Sequence, residues 1–331
     1  MWRLPALFMR IDSFVDVLQT ELTNTQYGQQ PPELYDPIRY IMSLGGKRLR
    51  PLLTLLGAYL FADDWQKAVR PALAVEVFHN FTLMHDDIMD QAPLRRGNPT
   101  VHEKWNPNTA ILSGDVMLVN AFELMLNVAP DTLQTALTRF SRTAAEVCEG
   151  QQLDMNFETR WDVTEAEYIE MIRLKTSVLL GFALELGGLV AGADANTTRL
   201  LYDAGVNVGI GFQLKDDLLD VYGDPAKFGK QVGGDIIANK KTFLLIEALE
   251  KGEGDLRDEL GDWLRRAEFD KAEKVQAVTA IYDRLNIRQL TEQRIDAYFA
   301  KGFACFEQID ADPARKAVLL DFVQQLIGRE S

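Results

Sequence analysis

The chain has 331 residues, of which 47% are hydrophobic and 25% are charged, and its formal net charge at pH 7 is −14. This length is ample for a buried core, and the acidic balance disfavours a nucleic-acid-binding protein, because such proteins usually carry a basic surface. The two cysteines, Cys148 and Cys305, have no metal-ligand spacing and make no disulfide framework, so we expect a reducing compartment and a cytoplasmic location.

The N-terminal stretch "MWRLPALFMR" is too short and too interrupted for a signal peptide. The longest apolar stretch, residues 177–193, contains Glu185 and four glycines, and it is shorter than the ~20 apolar residues that a membrane-spanning helix needs. We therefore expect no transmembrane segment, and a buried core helix at 177–193.

Taken in chain order, the hydrophobic pattern is helical. Apolar residues recur at three- and four-residue spacing in 68–90, 168–190 and 201–223, and no segment shows the sustained alternation of a strand. The sequence predicts an all-α fold of roughly a dozen helices, with two long loops, 91–108 and 223–240, that are rich in glycine and proline. No linker or shift in composition divides the chain, so we expect one large helical domain over 1–331.

The first chemical feature along the chain is basic. Residues 37–62 contain no acidic residue, and "GGKRLRP" (45–51) places three cations beside two glycines near a predicted helix start. Backbone N–H groups, the helix dipole and fork-shaped guanidinium groups all favour binding of a diphosphate there. Five later cations are candidates for the same role, although an isolated lysine is equally consistent with ordinary surface charge: Arg95, Arg96, Lys175, Lys230 and Lys240.

Two predicted helices end in clusters of aspartate. The sequence "DDIMD" (86–90) recurs in form as "DDLLD" (216–220), and each follows an apolar helical stretch. One such cluster would be consistent with a solvated helix face, but like charges at this spacing cost a helix ~0.2–0.5 kcal/mol per pair. Two embedded clusters favour bound Mg²⁺, which prefers carboxylates and substrate phosphates as ligands. The predicted metal ligands are Asp86, Asp87, Asp90, Asp216, Asp217 and Asp220.

Metal and cations together predict phosphate chemistry. Mg²⁺ held by the aspartates would bind one diphosphate, and the arginines would bind its oxygens from other directions. The cations outnumber what one diphosphate requires, so we infer a second diphosphate site that contains no metal.

In combination, these motifs resemble the trans-isoprenyl diphosphate synthases of the polyprenyl synthetase family, in their short-chain geranylgeranyl or farnesyl diphosphate type. The resemblance runs from about residue 35 to the C-terminus. It implies an isoprenoid-synthase-like bundle with a central cavity, and a homodimer. The matching segments are "GGKRLRP", "HDDIMDQAPLRRG", "KT" (175–176), "FQLKDDLLD" and "GKQVGGDIIANKKT" (229–242).

The resemblance also implies a role for each matching residue. The two aspartate motifs would hold three Mg²⁺ ions around the diphosphate of an allylic substrate. That diphosphate would be bound by four cations, Arg95, Lys175, Lys230 and Lys240. Thr176 and Gln213 would lie near the reacting centre. The diphosphate of isopentenyl diphosphate would be bound by Lys47, Arg50, His79 and Arg96.

The implied reaction condenses isopentenyl diphosphate with dimethylallyl, geranyl or farnesyl diphosphate. Charge stabilisation of the departing diphosphate ionises the allylic C–O bond, the double bond of isopentenyl diphosphate attacks the allylic cation, and the released diphosphate takes the lost proton. The site must exclude water, which would capture the cation. The segment 223–235 is either a lid or a plain connector.

Product length should depend on the helix that carries Asp86. Each turn back from Asp86 is about 5.4 Å, close to one extended isoprene unit. Phe81 and Phe78 lie five and eight residues before Asp86, with the small Thr82 beside Phe81. In the family this arrangement is typical of a C20 product, with C15 as the next alternative, although Phe81 is also consistent with an ordinary core residue.

Three other functions compete with this one. "EVFH" (76–79) is a Glu-x-x-His, as in four-helix di-iron proteins, but those need two such motifs, and His85 and His102 lack the partner glutamate. A terpene cyclase would share the metal chemistry but needs no second diphosphate site. A non-catalytic subunit of a heteromeric synthase should have lost one aspartate motif.

Overall fold

The computed structural model describes residues 4–224 and 233–328. In this part of the chain the only strands are β1 (Leu94–Arg95) and β2 (Asn98–Pro99), which form a two-stranded antiparallel ribbon. The predicted all-α fold is therefore confirmed. The α-helices are α1 (Leu4–Asn24), α2 (Pro32–Ser43), α3 (Leu49–Tyr59), α4 (Val69–Met89), α5 (Val101–Lys104), α6 (Pro107–Met125), α7 (Pro130–Glu158), α8 (Glu165–Ile172), α9 (Val178–Val190), α10 (Ala195–Tyr222), α11 (Gly234–Ile237), α12 (Phe243–Lys251), α13 (Gly254–Arg265), α14 (Lys271–Arg284), α15 (Ile287–Glu307) and α16 (Pro313–Gly328).

Two short non-α turns complete the list. A 3₁₀ turn, Trp65–Ala68, leads into α4, and a π turn, Arg173–Ser177, joins α8 to α9. The predicted helical stretch 168–190 is thus one continuous run with a π turn inside it. Single π turns inside helices occur frequently at functional sites, and this one contains Lys175 and Thr176.

The predicted loop 91–108 is wrong in part, because it contains the β1–β2 ribbon and α5. Arg96 and Gly97 both have positive φ, 52° and 76°. Positive φ at both central residues is the mark of a type I′ turn, whose twist suits a two-residue hairpin. The usual Asn-Gly or Asp-Gly signal is absent, since Arg stands at the first position.

The chain forms two compact units, which we describe separately. The first comprises residues 1–141, 182–202 and 309–322, and the second comprises 142–181, 203–308 and 323–331. In the first unit α4 packs against α1, α3 and α6, and in the second α12 packs against α8, α14 and α15. A single domain over the whole chain stays a prediction.

The apolar stretch 177–193 forms the buried helix that the sequence predicts. Residues 178–188 of α9 are all buried, including Glu185, whose carboxylate lies 3.3 Å from Arg139 Nε. Among the helices that the structure describes, none combines the length and apolar character needed to cross a membrane.

Candidate active site

The first aspartate motif lies at the C-terminal end of α4, where the three carboxylates have different surroundings. Asp87 is buried and accepts two hydrogen bonds from Arg95, from Nε and Nη2, each 2.7 Å long. Asp86 is partly buried, and Asp90, the C-cap residue of α4, is exposed. The bidentate pair fixes Arg95 to the motif and leaves Asp86 and Asp90 as its more accessible carboxylates.

The type I′ turn carries Arg96 to the "GGKRLRP" segment. The Arg96 guanidinium donates a hydrogen bond to the carbonyl of Gly45. A Cβ at residue 46 would lie 2.8 Å from the same guanidinium, and Gly46 has φ 129°, so only glycine fits there. This close approach explains the second glycine of the motif.

Arg48 points away from the exposed side of this segment, unlike its neighbour Lys47. It is the N-cap residue of α3 with a left-handed φ of 47°, and its guanidinium pairs with the buried carboxylate of Glu76. A second bond of 2.6 Å runs to the carbonyl of Met42, and Asn80 Nδ2 donates to Glu76 at 2.9 Å. Arg48 is therefore a structural residue of the segment, whereas Lys47 is exposed.

Arg50 and His79 form the centre of a positively charged cluster. Arg50 Nη1 donates to His79 Nε2 over 3.0 Å, so this ring nitrogen is unprotonated. Desolvation and the neighbouring Arg50 and Arg96 lower the pKa of His79 well below its usual range. Desolvation also lowers the pKa of Arg50 to about 10, and the Arg50 Nε is buried without a hydrogen-bond partner. Clustered cations with an unsatisfied donor favour binding of an anion.

The structure thus brings together, in the first unit, the residues predicted for isopentenyl diphosphate. Arg50, His79 and Arg96 are in contact or electrostatically coupled, and Lys47 lies on the same segment. Sequence reasoning did not predict that Glu76 would hold Arg48 in this segment. It noted "EVFH" only as a possible di-iron motif, yet Glu76 pairs with Arg48 and His79 with Arg50. Among the described residues no group of three or more His, Cys, Asp or Glu side chains is arranged to hold a metal.

The second aspartate motif lies at the C-terminal end of α10 and repeats the division seen in the first. Asp217 is buried and accepts hydrogen bonds from the Tyr168 hydroxyl and from Gln213 Nε2, the latter 3.2 Å long. Asp216 is exposed. Asp220 accepts a 2.9 Å bond from the backbone N–H of Asp235, so it holds the start of α11.

Burial alters the acid–base behaviour of the Asp217–Tyr168 pair. Desolvation raises the pKa of Asp217 to about 7, an effect that Lys240 opposes and Asp235 reinforces. Burial and the adjacent carboxylate raise the pKa of the Tyr168 hydroxyl well above its usual range. The tyrosine therefore remains a donor, and a nearby cation is needed to keep Asp217 ionised.

The π turn positions two further predicted residues. Lys175 Nζ donates to Asp154 over 2.5 Å, and the Thr176 hydroxyl contacts Gln213 Oε1 at 3.4 Å. A Cβ at Gly150 would lie 2.2 Å from the backbone nitrogen of Lys175, so α7 passes directly against the turn. Sequence reasoning missed Asp154, because a lone acid on a mixed helix carries no distinguishing signal.

The remaining predicted cations have different outcomes. Lys240 Nζ lies 3.9 Å from Asp235 Oδ1, and Lys240 acts electrostatically on Asp217. Lys230 and most of the predicted lid segment lie outside the described residues.

The predicted chain-length residues are part of an aromatic cluster behind the first aspartate motif. Phe78 and Phe81 are buried, with ring centroids 5.6 Å apart, and Phe78 packs edge-on against Phe140 at 5.3 Å. The Phe81 ring also contacts the ring of His85 at 4.7 Å. Thr82 turns its hydroxyl to the carbonyl of His79 and adds little bulk.

Comparison with known proteins identifies the family. A family model described as polyprenyl synthetase matches residues 31–282. The geranylfarnesyl diphosphate synthase of Natronomonas pharaonis is 36% identical over 324 residues, which cover 91% of this chain and 91% of the relative. A crystal structure of a geranylgeranyl pyrophosphate synthase matches with a TM-score of 0.90 at 46% identity, covering 100% of both chains.

A third match is to a protein solved with ligands. The crystal structure of a polyprenyl synthase from Caulobacter crescentus CB15, complexed with calcium and isoprenyl diphosphate, has a TM-score of 0.86 at 28% identity and covers 98% of this chain and 97% of that one. The extent of these matches shows that the chain belongs to the polyprenyl synthetase family, as a short-chain prenyl synthase.

Proposed function

We propose that the chain condenses isopentenyl diphosphate head-to-tail with an allylic diphosphate, using Mg²⁺. The observation that carries this proposal is the cation cluster around Arg50, His79 and Arg96, which contains guanidinium groups and a neutral imidazole but no predicted metal ligand. A synthase needs such a metal-free diphosphate site in addition to a metal site, whereas a terpene cyclase needs only the metal site.

The aspartate motifs supply the charge and the oxygen donors that a divalent cation such as Mg²⁺ prefers. Both lie at helix C-termini, where the macrodipole already carries partial negative charge and further carboxylates are unfavourable by ~0.3–1 kcal/mol each. Asp86 and Asp90 in the first motif and Asp216 and Asp220 in the second are less buried than Asp87 and Asp217, so we propose these four as the direct ligands. When bound, Mg²⁺ would neutralise the allylic diphosphate and stabilise it as a leaving group.

Two aspartates of the motifs also hold cations of the site in place in this proposal. Asp87 holds Arg95 in a fixed orientation, and Asp220 holds the segment that carries Lys240. These cations, with Lys175, would bind the allylic diphosphate, and Lys230 stays a prediction for the same role. Fixed donors of this kind stabilise developing negative charge without reorganisation.

The remaining steps follow from the chemistry of the substrates. The allylic C–O bond breaks, and the terminal alkene carbon of isopentenyl diphosphate forms the new C–C bond. This leaves a cation on the adjacent tertiary carbon, and a proton then leaves the CH2 group next to that carbon to form the new double bond. We propose that the released diphosphate takes this proton, and that Thr176 and Gln213 line the reacting centre.

We propose geranylgeranyl diphosphate as the main product, with farnesyl diphosphate as the alternative. The buried Phe81, backed by Phe78 and Phe140, supports a floor to the elongating chain about one turn before Asp86. The similarity to a geranylgeranyl pyrophosphate synthase agrees with a C20 product. The similarity to a geranylfarnesyl diphosphate synthase is also consistent with a product that is one isoprene unit longer.

We also propose that the protein is a homodimer and is cytoplasmic. Leu112, Val119 and Leu126 repeat every seven residues along α6 and its C-cap, and each is 57–58% exposed. A heptad-spaced apolar stripe of this kind is suited to pairing with a second helix. In the proposed homodimer, this stripe packs against the same stripe of a second copy of the chain.

The proposed reaction is tested by a product assay. Purified protein is incubated with Mg²⁺, labelled isopentenyl diphosphate and, separately, the C5, C10 and C15 allylic diphosphates, and the dephosphorylated products are sized. A ladder that ends at C15 or C20 is expected. Consumption of the allylic substrate without incorporation would instead indicate a cyclase, and no reaction with any primer would indicate a non-catalytic subunit.

A variant separates the two diphosphate sites. Arg50→Met removes a charge-assisted donor worth ~1.5–3 kcal/mol, so KM for isopentenyl diphosphate should rise by about 10- to 100-fold while KM for the allylic substrate stays unchanged. Arg39→Met is the matched control, since Arg39 lies in the same basic stretch but pairs with Asp36. Equal effects of Arg50→Met on both substrates would contradict the assignment.

A further inference from the structure

Lys274 on α14 is a lysine with no exposed surface. Its ammonium group donates to Asn239 Oδ1 over 2.6 Å and to the carbonyl of Ile237 over 3.3 Å, and it lies 4.2 Å from the centroid of the Phe269 ring. Two of its three N–H donors are thus hydrogen-bonded, and the ring face adds a cation–π contact. Burial lowers the pKa of this group. Burying a lysine costs free energy that its hydrogen bonds must offset.

Both hydrogen-bond partners of Lys274 belong to the end of α11. The backbone N–H of Asn239 bonds to the carbonyl of Ile236 over 3.2 Å, and that of Lys240 bonds to the carbonyl of Asp235 over 3.0 Å. With Asn239 in the left-handed region at φ 53°, this is the Schellman motif that ends many helices. Asparagine is the second choice after glycine at this position, so a functional reason for its side chain is expected.

The Asn239 side chain ties the end of α11 to two other elements. Its Oδ1 accepts from Lys274, and its Nδ2 donates to the carbonyl of Leu264 at the end of α13 over 3.1 Å. The other end of α11 is held by Asp220, which accepts the N–H of Asp235. A helix of four residues, Gly234–Ile237, is thus anchored at both ends.

The residue that follows directly is Lys240. Its backbone is fixed by the Schellman bond to Asp235, and its ammonium lies 3.9 Å from the carboxylate of the same residue. A change in the left-handed turn at Asn239 would therefore redirect Lys240.

We propose that Lys274 and Asn239 are positioning residues that orient Lys240 toward the allylic diphosphate. Neither touches the substrate. This inference rests on the proposed function, in which Lys240 binds that diphosphate.

The primary test is Lys274→Met, which keeps the length and removes the donors. KM for the allylic substrate should rise, and the affinity for inorganic diphosphate with Mg²⁺ in calorimetry should fall, by about 10- to 100-fold, as for other supporting shells of a site. KM for isopentenyl diphosphate should stay unchanged. Lys271→Met, on the exposed side of the same helix, is the matched control and should behave as wild type.

A double-mutant cycle tests the route of the effect. If Lys274 acts through Lys240, adding Lys274→Met to Lys240→Met should cause no further loss. The single variant Lys240→Met and the double variant should then have about the same affinity for the allylic substrate. A loss in the double variant equal to the product of the two single losses would overturn the proposal.

Asn239 supplies an independent variant in case Lys274→Met does not fold. Asn239→Gly keeps the left-handed conformation and removes the amide, so it should reproduce the effect of Lys274→Met. A folded Asn239→Gly protein with wild-type kinetics would overturn the proposal. An inactive wild-type enzyme would instead indicate failure of the proposed function, since the inference predicts changes only relative to an active protein.

Discussion

At the scale of single residues, the two aspartate motifs share one arrangement. The second aspartate of each is buried against protein donors, Arg95 for Asp87 and Tyr168 with Gln213 for Asp217. The first aspartate of each is less buried. These donors thereby hold the second carboxylate of each motif in one orientation.

The buried Asp217 predicts a pH-dependent stability of the metal-free protein. Its pKa is raised from 3.8 to about 7 on folding, so folding favours the protonated form. The stabilisation is therefore complete below about pH 4 and is lost as the pH rises through about pH 7. Each pKa unit corresponds to about 1.4 kcal/mol, so in EDTA the free energy of unfolding should fall by a few kcal/mol over this interval.

Urea unfolding across this pH range measures the effect. Asp217→Asn, which cannot ionise, should flatten the pH dependence, and Asp258→Asn, at an exposed position on α13, should leave it as in wild type. A wild-type slope in Asp217→Asn would show that another group is responsible.

At the scale of elements, the long helices were predictable and the short irregular ones were not. The spacing of apolar residues in 68–90 and 201–223 agrees with α4 and α10, because burial of one helix face dictates that spacing. The ribbon after α4 has a type I′ turn that begins with Arg96, and that arginine is held by Gly45, a contact distant in sequence. The π turn at 173–177 likewise depends on packing at Gly150.

The candidate site was likewise predictable only in part. The motifs single out the aspartates and the cations as candidates, since their charge is visible in the sequence. The difference in exposure between Lys47 and Arg48 was not predictable, because it depends on the left-handed φ of Arg48 and on its pairing with the buried Glu76.

The face of α4 that carries Phe78 and Phe81 yields a second prediction. If Phe81 is the floor of the elongation site, Phe81→Ala should shift the products to longer chains, and Phe81→Ala with Phe78→Ala should shift them further, since Phe78 lies directly behind. The dephosphorylated products from farnesyl diphosphate, separated by chromatography, give the distribution.

This change also removes a buried ring, which costs about 3–5 kcal/mol of stability. Folding must therefore be verified by thermal unfolding. Phe303→Ala on α15 is the aromatic control and should leave product length unchanged. An unchanged distribution in a folded Phe81→Ala enzyme would make Phe81 an ordinary core residue.

At the scale of the whole molecule, the α6 stripe is the feature that a monomer leaves unexplained. One face of α6 packs on α4 and α2, and the opposite face presents Leu112, Val119 and Leu126. Exposed apolar residues are common singly, but a row of three at heptad spacing in the same helix and its cap is typical of an interaction surface.

A charge placed in this stripe should dissociate the proposed homodimer. Leu112→Glu with Val119→Glu puts two carboxylates on each copy and so four in a shared apolar interface, where unpaired charges are strongly unfavourable. The variant should elute as a monomer in size-exclusion chromatography with light scattering, whereas wild type should have twice the mass of the chain. Val15→Glu, at an apolar position on α1 that is 41% exposed, is the control and should remain dimeric. A monomeric wild type would contradict the proposed homodimer. A dimeric double variant would contradict only the proposed interface on α6, so the two results test the dimer and its interface separately.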